Sequence, residues 1–142
     1  MTSEASSDPS CSQSSKPRLQ RSVTSTPVVV RQQSVEEQSF AGLLIREYTA
    51  GRSFESSVAE IICPAGSSHP LALSHRSTKF YYVLVGDVEF EIDGHQQTLC
   101  TGDMAVIPRD TPFRYRSPHT ATRMLLVHTP AFVLGEEAFL EE

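Results

Sequence analysis

Between residues 38 and 132 short β-type runs, some alternating apolar with polar at period two and some continuously apolar, are divided by turn residues, and no long stretch follows a helical repeat. Val88, Phe90 and Ile92 alternate with Glu89, Glu91 and Asp93, the pattern of a strand with one buried face. Asp93-Gly94 follows at once, a pair suited to a two-residue hairpin whose central positions both need positive φ. Gly86-Asp87 separates that strand from residues 80–85, an aromatic and β-branched run. Residues 42–49, 58–63, 71–75, 96–100, 104–107, 113–116 and 124–129 read as further strands. Turns such as Pro64-Ala65-Gly66, Thr101-Gly102-Asp103 and Pro108-Arg109-Asp110 divide them. Nine or ten short strands at intervals of 8–12 residues predict an all-β sandwich or barrel.

The two ends differ from this middle. Residues 1–26 hold twelve Ser or Thr and almost no apolar side chains, too little to offset about 1–2 kcal/mol per ordered residue. The expected organisation is a low-complexity tail over 1–37, a barrel over 38–132 and an acidic C-terminal segment over 133–142. Val28-Val29-Val30 could swap onto a neighbouring subunit's sheet edge, and Ala138, Phe139 and Leu140 could form a short helix or docking anchor.

Composition narrows the function classes. A chain of 142 residues has room for one domain, and a net charge of −5 argues against nucleic acid or an anionic membrane as partner. No window approaches 18 apolar residues, and the first thirty lack the apolar run of a secretory signal. Cys11, Cys63 and Cys100 form no C-x-x-C pair, which excludes a thiolate zinc site and suits a reducing, cytoplasmic setting.

Two blocks carry a resemblance. Pro64-Ala65-Gly66, then His75, then Phe80-Tyr81-Tyr82-Val83-Leu84-Val85-Gly86 resembles the first signature of the cupin superfamily. The run from Gly102-Asp103-Met104 through Ile107-Pro108 to Pro112-Phe113 resembles the second, with the Asp93-Gly94 hairpin between them. The resemblance implies a single-domain jelly-roll β-barrel, generally dimeric, with a ligand pocket inside. It also implies a role such as isomerase, cyclase or dehydratase, often in specialised metabolism.

The metal motif of that family is degenerate in this chain. Aligned on Gly86, the paired histidines become Leu73 and His75 and the glutamate becomes Lys79; aligned on Gly102 and Pro108, the last histidine becomes Phe113. One imidazole beside an ammonium is too few ligands for iron, manganese or zinc, so no metal or other cofactor is expected. His69, His75 and His128 could instead rebuild a three-histidine set for a metal-dependent oxygenase or isomerase.

Period-two counting puts Leu71, Leu73 and His75 on one face and Lys79, Tyr81 and Val83 on one face of the next strand, with Phe113 and Tyr115 joining them. If both faces look inward, the pocket is apolar, with His75 and Lys79 as catalytic acid–base groups. Leu71, Leu73, Tyr81, Phe113, Tyr115 and His128 would then contact the ligand. Lys79 is one of only two lysines against ten arginines, so a lysine on an inward position is not generic surface charge. Its ammonium must find an acidic ligand group, a protein carboxylate such as Glu47 or Glu60, or a lowered pKa. The expected function is a metal-independent small-molecule enzyme, assembled as a homodimer; the alternative is a binding module without turnover.

Overall fold

The computed structural model describes residues 26–140, so the predicted Ser/Thr-rich tail up to residue 25 lies outside the described residues. Eleven strands are formed: β1 (Glu37–Phe40), β2 (Leu43–Glu47), β3 (Ser57–Cys63), β4 (Ser67–Ser74), β5 (Thr78–Val85) and β6 (Val88–Ile92), followed by β7 (His95–Leu99), β8 (Met104–Ile107), β9 (Phe113–Ser117), β10 (Thr122–Thr129) and β11 (Glu137–Phe139). They pair antiparallel in two sheets, ordered β1-β2-β3-β10-β5-β8 and β11-β4-β9-β6-β7, the layout of a jelly-roll barrel. The predicted all-β fold is present, and no α-helix occurs among the described residues. None of their helical turns is long and apolar enough to cross a membrane.

Alternation builds the core. Tyr81 and Val83 of β5 and Met124 of β10 project inward from one sheet, and Val88, Phe90 and Phe113 meet them from the other. Tyr81 packs on Phe90 and Phe113 with ring centroids 5.3 and 5.9 Å apart. The hairpin after β6 has φ 52° at Asp93 and 84° at Gly94, as its sequence predicts. Gly86 has φ 97°, and a Cβ there would lie 2.7 Å from the Ala121 carbonyl oxygen, so only glycine lets the β5–β6 turn pass β10.

Two strands escaped the sequence pattern, β1 and β11. Both are short, and β1 is exposed along its length, so neither shows an alternating buried face. The C-terminal segment docks as strand β11 on β4, with Ala138 opposite Leu73. Residues 28–30 belong to no strand.

A bulge in β4 has the largest consequence for the site. Phe113 of β9 pairs with Ala72 whereas Tyr115, two residues on, pairs with His69, three residues back. The extra residue reverses the parity of β4, with Pro70, which has no N–H to give to a ladder, inside the bulge. His69, Ala72 and Ser74 therefore turn toward the core side, and Leu71, Leu73 and His75 do not.

Candidate functional site

A cavity of about 230 Å³ opens inside the barrel between the two sheets. Its deep wall carries Lys79 and Tyr81 of β5, Leu126 and His128 of β10, His69 of β4 and Tyr115 of β9. Glu47 at the end of β2 and Glu137 at the start of β11 add two carboxylates, and Phe40, Phe132, Leu134 and Phe139 form an apolar rim. Phe40 bridges to His69 and Phe139 with ring centroids 5.7 and 5.6 Å apart. A larger groove of about 420 Å³ lies over Ser68, Gln96 and the side chains of β6 and β9. There Arg114 pairs with Glu91 and Arg116 with Glu89, each at 2.9 Å, so the charges of this groove compensate locally.

Lys79 is the centre of the internal site. It stands opposite His128 in the β5–β10 ladder, so the two side chains share a face. Its Nζ donates to Glu137 Oε1 at 2.8 Å and to His128 Nε2 at 2.9 Å, and lies 5.5 Å from the Phe113 ring centroid. The side chains of Lys79 and Glu137 are 4% and 6% exposed, so this is a buried ion pair. Glu137 Oε2 is buried with no hydrogen-bond partner. An ammonium has three N–H groups, two of which these bonds use.

Burial sets the protonation states around it. Loss of solvent lowers the Lys79 pKa, and the Glu137 carboxylate opposes the shift. Burial pulls His128 down to about 3 and His69 down to about 4, with the Lys79 charge adding to both, so each ring is neutral at neutral pH. The contact between Lys79 and the unprotonated His128 Nε2 is thus a donor meeting an acceptor. His69 Nδ1 donates to the Pro70 carbonyl at 2.7 Å, which leaves Nε2 as that ring's acceptor. Glu47 is raised by burial, against the lowering pull of Lys79. Tyr81 and Tyr115 are buried phenols pushed up by desolvation, with ring centroids 5.3 Å apart.

Lys79, Tyr81 and Tyr115, inward by alternation, line one cavity with His128, a candidate ligand contact that no alternation argument places there. Phe113 is buried beneath Lys79 and stacked on His69 with centroids 5.2 Å apart. The expectation for Leu71, Leu73 and His75 is corrected: the bulge turns the two leucines to half-buried positions away from the cavity. His75 sits outside the barrel, its side chain 56% exposed and its Nδ1 2.9 Å from Asp110 Oδ1. Glu137 escaped the sequence reading, although an inward lysine requires a buried counter-charge and the acidic C-terminal segment was available to supply one.

A divalent metal does not suit this set. Among the described residues no three His, Cys, Asp or Glu side chains are grouped to hold one. The three-histidine alternative fails because His75 is outside, and the Lys79 ammonium occupies the His128 lone pair that a metal would need.

The fold is a two-sheet jelly-roll barrel with a pocket between the sheets and a buried polar cluster on the pocket wall. The chain belongs to the cupin domain family, which matches residues 59–129. The fold is similar to that of Pac13 from Streptomyces, described as a nucleoside dehydratase and solved with uridine. That likeness has 20% identity and a TM-score of 0.72, covering 82% of this chain and 92% of Pac13. KdgF from Halomonas is similar at 17% identity and TM-score 0.66, over 74% of this chain and 94% of that one. Oxalate decarboxylase from Bacillus subtilis matches at 16% identity and TM-score 0.71, over 83% of this chain and 34% of that one. No curated protein matches the chain by sequence. At these identities the likenesses establish the fold.

Proposed function

We propose that the chain is a metal-independent small-molecule enzyme whose barrel cavity carries out acid–base chemistry of the isomerase, cyclase or dehydratase type. The observation that carries the reading is the buried Lys79, held between Glu137 and a neutral His128 with one N–H to spare. A fixed cation in a low-dielectric site stabilises negative charge developing on a substrate oxygen. Glu137 supplies the base: its free Oε2 takes a proton from a substrate carbon next to a carbonyl while Lys79 donates to the enolate oxygen that forms. Returning that proton to a neighbouring carbon completes an isomerisation. Delivering it to a β-hydroxyl expels water and completes a dehydration, so neither course needs a redox partner. His128 positions Lys79. That Pac13, with a similar fold, is described as a nucleoside dehydratase supports elimination as chemistry such a barrel can house.

Lys79→Met tests this against ligands found by thermal-shift screening of small metabolites, at a temperature where the variant is folded. The expected loss of turnover or binding is about 10²-fold. A variant that binds and converts its ligand like the parent ends the reading, and binding without turnover by the parent leaves the binding-module alternative.

A homodimer belongs to the same proposal. The outer face of the six-stranded sheet carries apolar rows in register: Val58, Val127, Phe80 and Val106, and beside them Leu125, Tyr82 and Met104. Met104 and Val106 are 53% and 50% exposed on the edge strand β8. A second copy of the chain would cover this face. Free Cys63 and Cys100 support a reducing, cytoplasmic setting.

A further inference from the structure

We infer that the cavity selects an uncharged, hydroxyl-bearing ligand of monosaccharide or nucleoside type and rejects its carboxylate or phosphate counterpart. This rests on the proposed use of the same cavity and adds the class of molecule it takes.

A buried lysine in a ligand pocket ordinarily points to an anionic ligand. Charge counting in this cavity points the other way. Lys79 is already neutralised by Glu137 at 2.8 Å, and the cavity wall holds a second carboxylate, Glu47, whose field also acts on Lys79. His69 and His128 add no positive charge, since burial keeps both rings neutral. In the resting cavity Glu137 already balances the Lys79 charge, so an anionic ligand would add negative charge that nothing offsets, in weakly screened surroundings. That charge becomes available to an enolate only once Glu137 has taken the substrate proton.

The hydrogen-bonding groups ask for something else. Glu137 Oε2 is a buried acceptor without a donor, and an unpaired buried acceptor costs roughly 1–3 kcal/mol until something donates to it. Lys79 beside it has a donor to give. A hydroxyl satisfies both at once, with its proton on Oε2 and its lone pair on Lys79. The unprotonated Nε2 of His69 is a further acceptor in the same wall. The set is therefore rich in acceptors, which a polyol matches and a carboxylate, itself only an acceptor, does not. Phe40, Phe139 and Phe132 at the rim offer flat apolar surface for the C–H face of a sugar or for a base. The volume of about 230 Å³ lies below the roughly 300–1,000 Å³ of pockets for drug-sized ligands.

The experiment uses matched probes on the full chain: glucose against glucuronate, galactose against galacturonate, and uridine against its 5′-monophosphate. Affinity is read by calorimetry and by the rise in Tm that binding produces. The neutral member of at least one pair is expected to bind about tenfold or more tightly than its anionic partner, a difference of about 1.4 kcal/mol. Glu137→Gln keeps the side-chain volume and releases the Lys79 charge, so it is expected to reverse that order. The double variant Lys79→Met/Glu137→Gln, which leaves no unpaired buried charge of this pair, is expected to lose the discrimination altogether. Equal or tighter binding of the anionic members by the parent chain overturns the inference. So does an unchanged order in Glu137→Gln, or no binding of any neutral probe at tens of millimolar. If anionic probes bind and Lys79→Met abolishes that binding, the ligand class is wrong while the site stands; if Lys79→Met changes nothing, the site reading fails as well.

Discussion

Lys79 Nζ lies 2.8 Å from Glu137 Oε1 across 58 residues of sequence, and both side chains are shut away from solvent. The pair ties the last strand of the described chain to the centre of the barrel. A buried pair of this kind is costly to form and more costly to break, because removing one partner strands the other charge.

That asymmetry predicts a stability cycle. Lys79→Met and Glu137→Gln are each expected to destabilise the fold by about 3–5 kcal/mol, and the double variant by less than the sum. Urea unfolding of the four proteins measures it, and additive single effects would show that the two charges are not coupled.

Stability should also fall on the acid side for a reason located in the cavity. An open-chain histidine titrates near about 6.5, whereas burial holds His128 at about 3 and His69 at about 4. Between those values the unfolded chain binds more protons than the folded one. The stability these rings contribute is therefore complete above about pH 6.5 and is lost as the pH drops toward 4 and 3. Tm measured from pH 7 to pH 4 should decline, and His128→Gln, which keeps an acceptor for Lys79, should decline less steeply. Parallel curves for the two proteins would contradict this assignment.

His75 gives the opposite expectation. Its contact with Asp110 is exposed on both sides, and such pairs are worth little. His75→Ala should change stability by no more than about 0.5 kcal/mol and leave ligand affinity as it was. A large loss of binding, read by calorimetry, would place His75 back at the site.

Elemental analysis of protein purified without chelator should find less than about one tenth of an equivalent of transition metal, and EDTA should leave Tm unchanged. Lys79→Glu should abolish function without creating a metal centre, since Leu73 and Phe113 supply no ligand atoms. Stoichiometric zinc, iron or nickel that resists dialysis would overturn this expectation.

Sedimentation at micromolar concentration should show a dimer, and Met104→Lys with Val106→Lys should convert it to a monomer that stays folded. A parent chain that sediments as a monomer would leave the apolar outer face without a second copy to cover it.

Much of the fold was legible because its signals are local. The 88–92 alternation and the Asp93-Gly94 turn specify a strand and a hairpin within a few residues, and the structure forms both. The inward run Lys79, Tyr81 and Val83 was equally local, because β5 keeps an unbroken period along that stretch. Strands β1 and β11 were not legible: β1 has no buried face of its own, and β11 is only three residues long.

The site divides along the same line. By itself the sequence determined that a lysine would lie inside an apolar barrel and that a counter-charge had to be found for it, because strand parity and the cost of a buried ammonium are properties of short segments. Which groups surround that lysine was decided only by tertiary structure. One extra residue at the Pro70 bulge reversed β4, bringing His69 in and sending His75 out, and no period-two count can anticipate where such a residue is inserted. Glu137 reached Lys79 because a three-residue strand found an open edge of the sheet, a pairing that depends on the rest of the barrel being assembled around it.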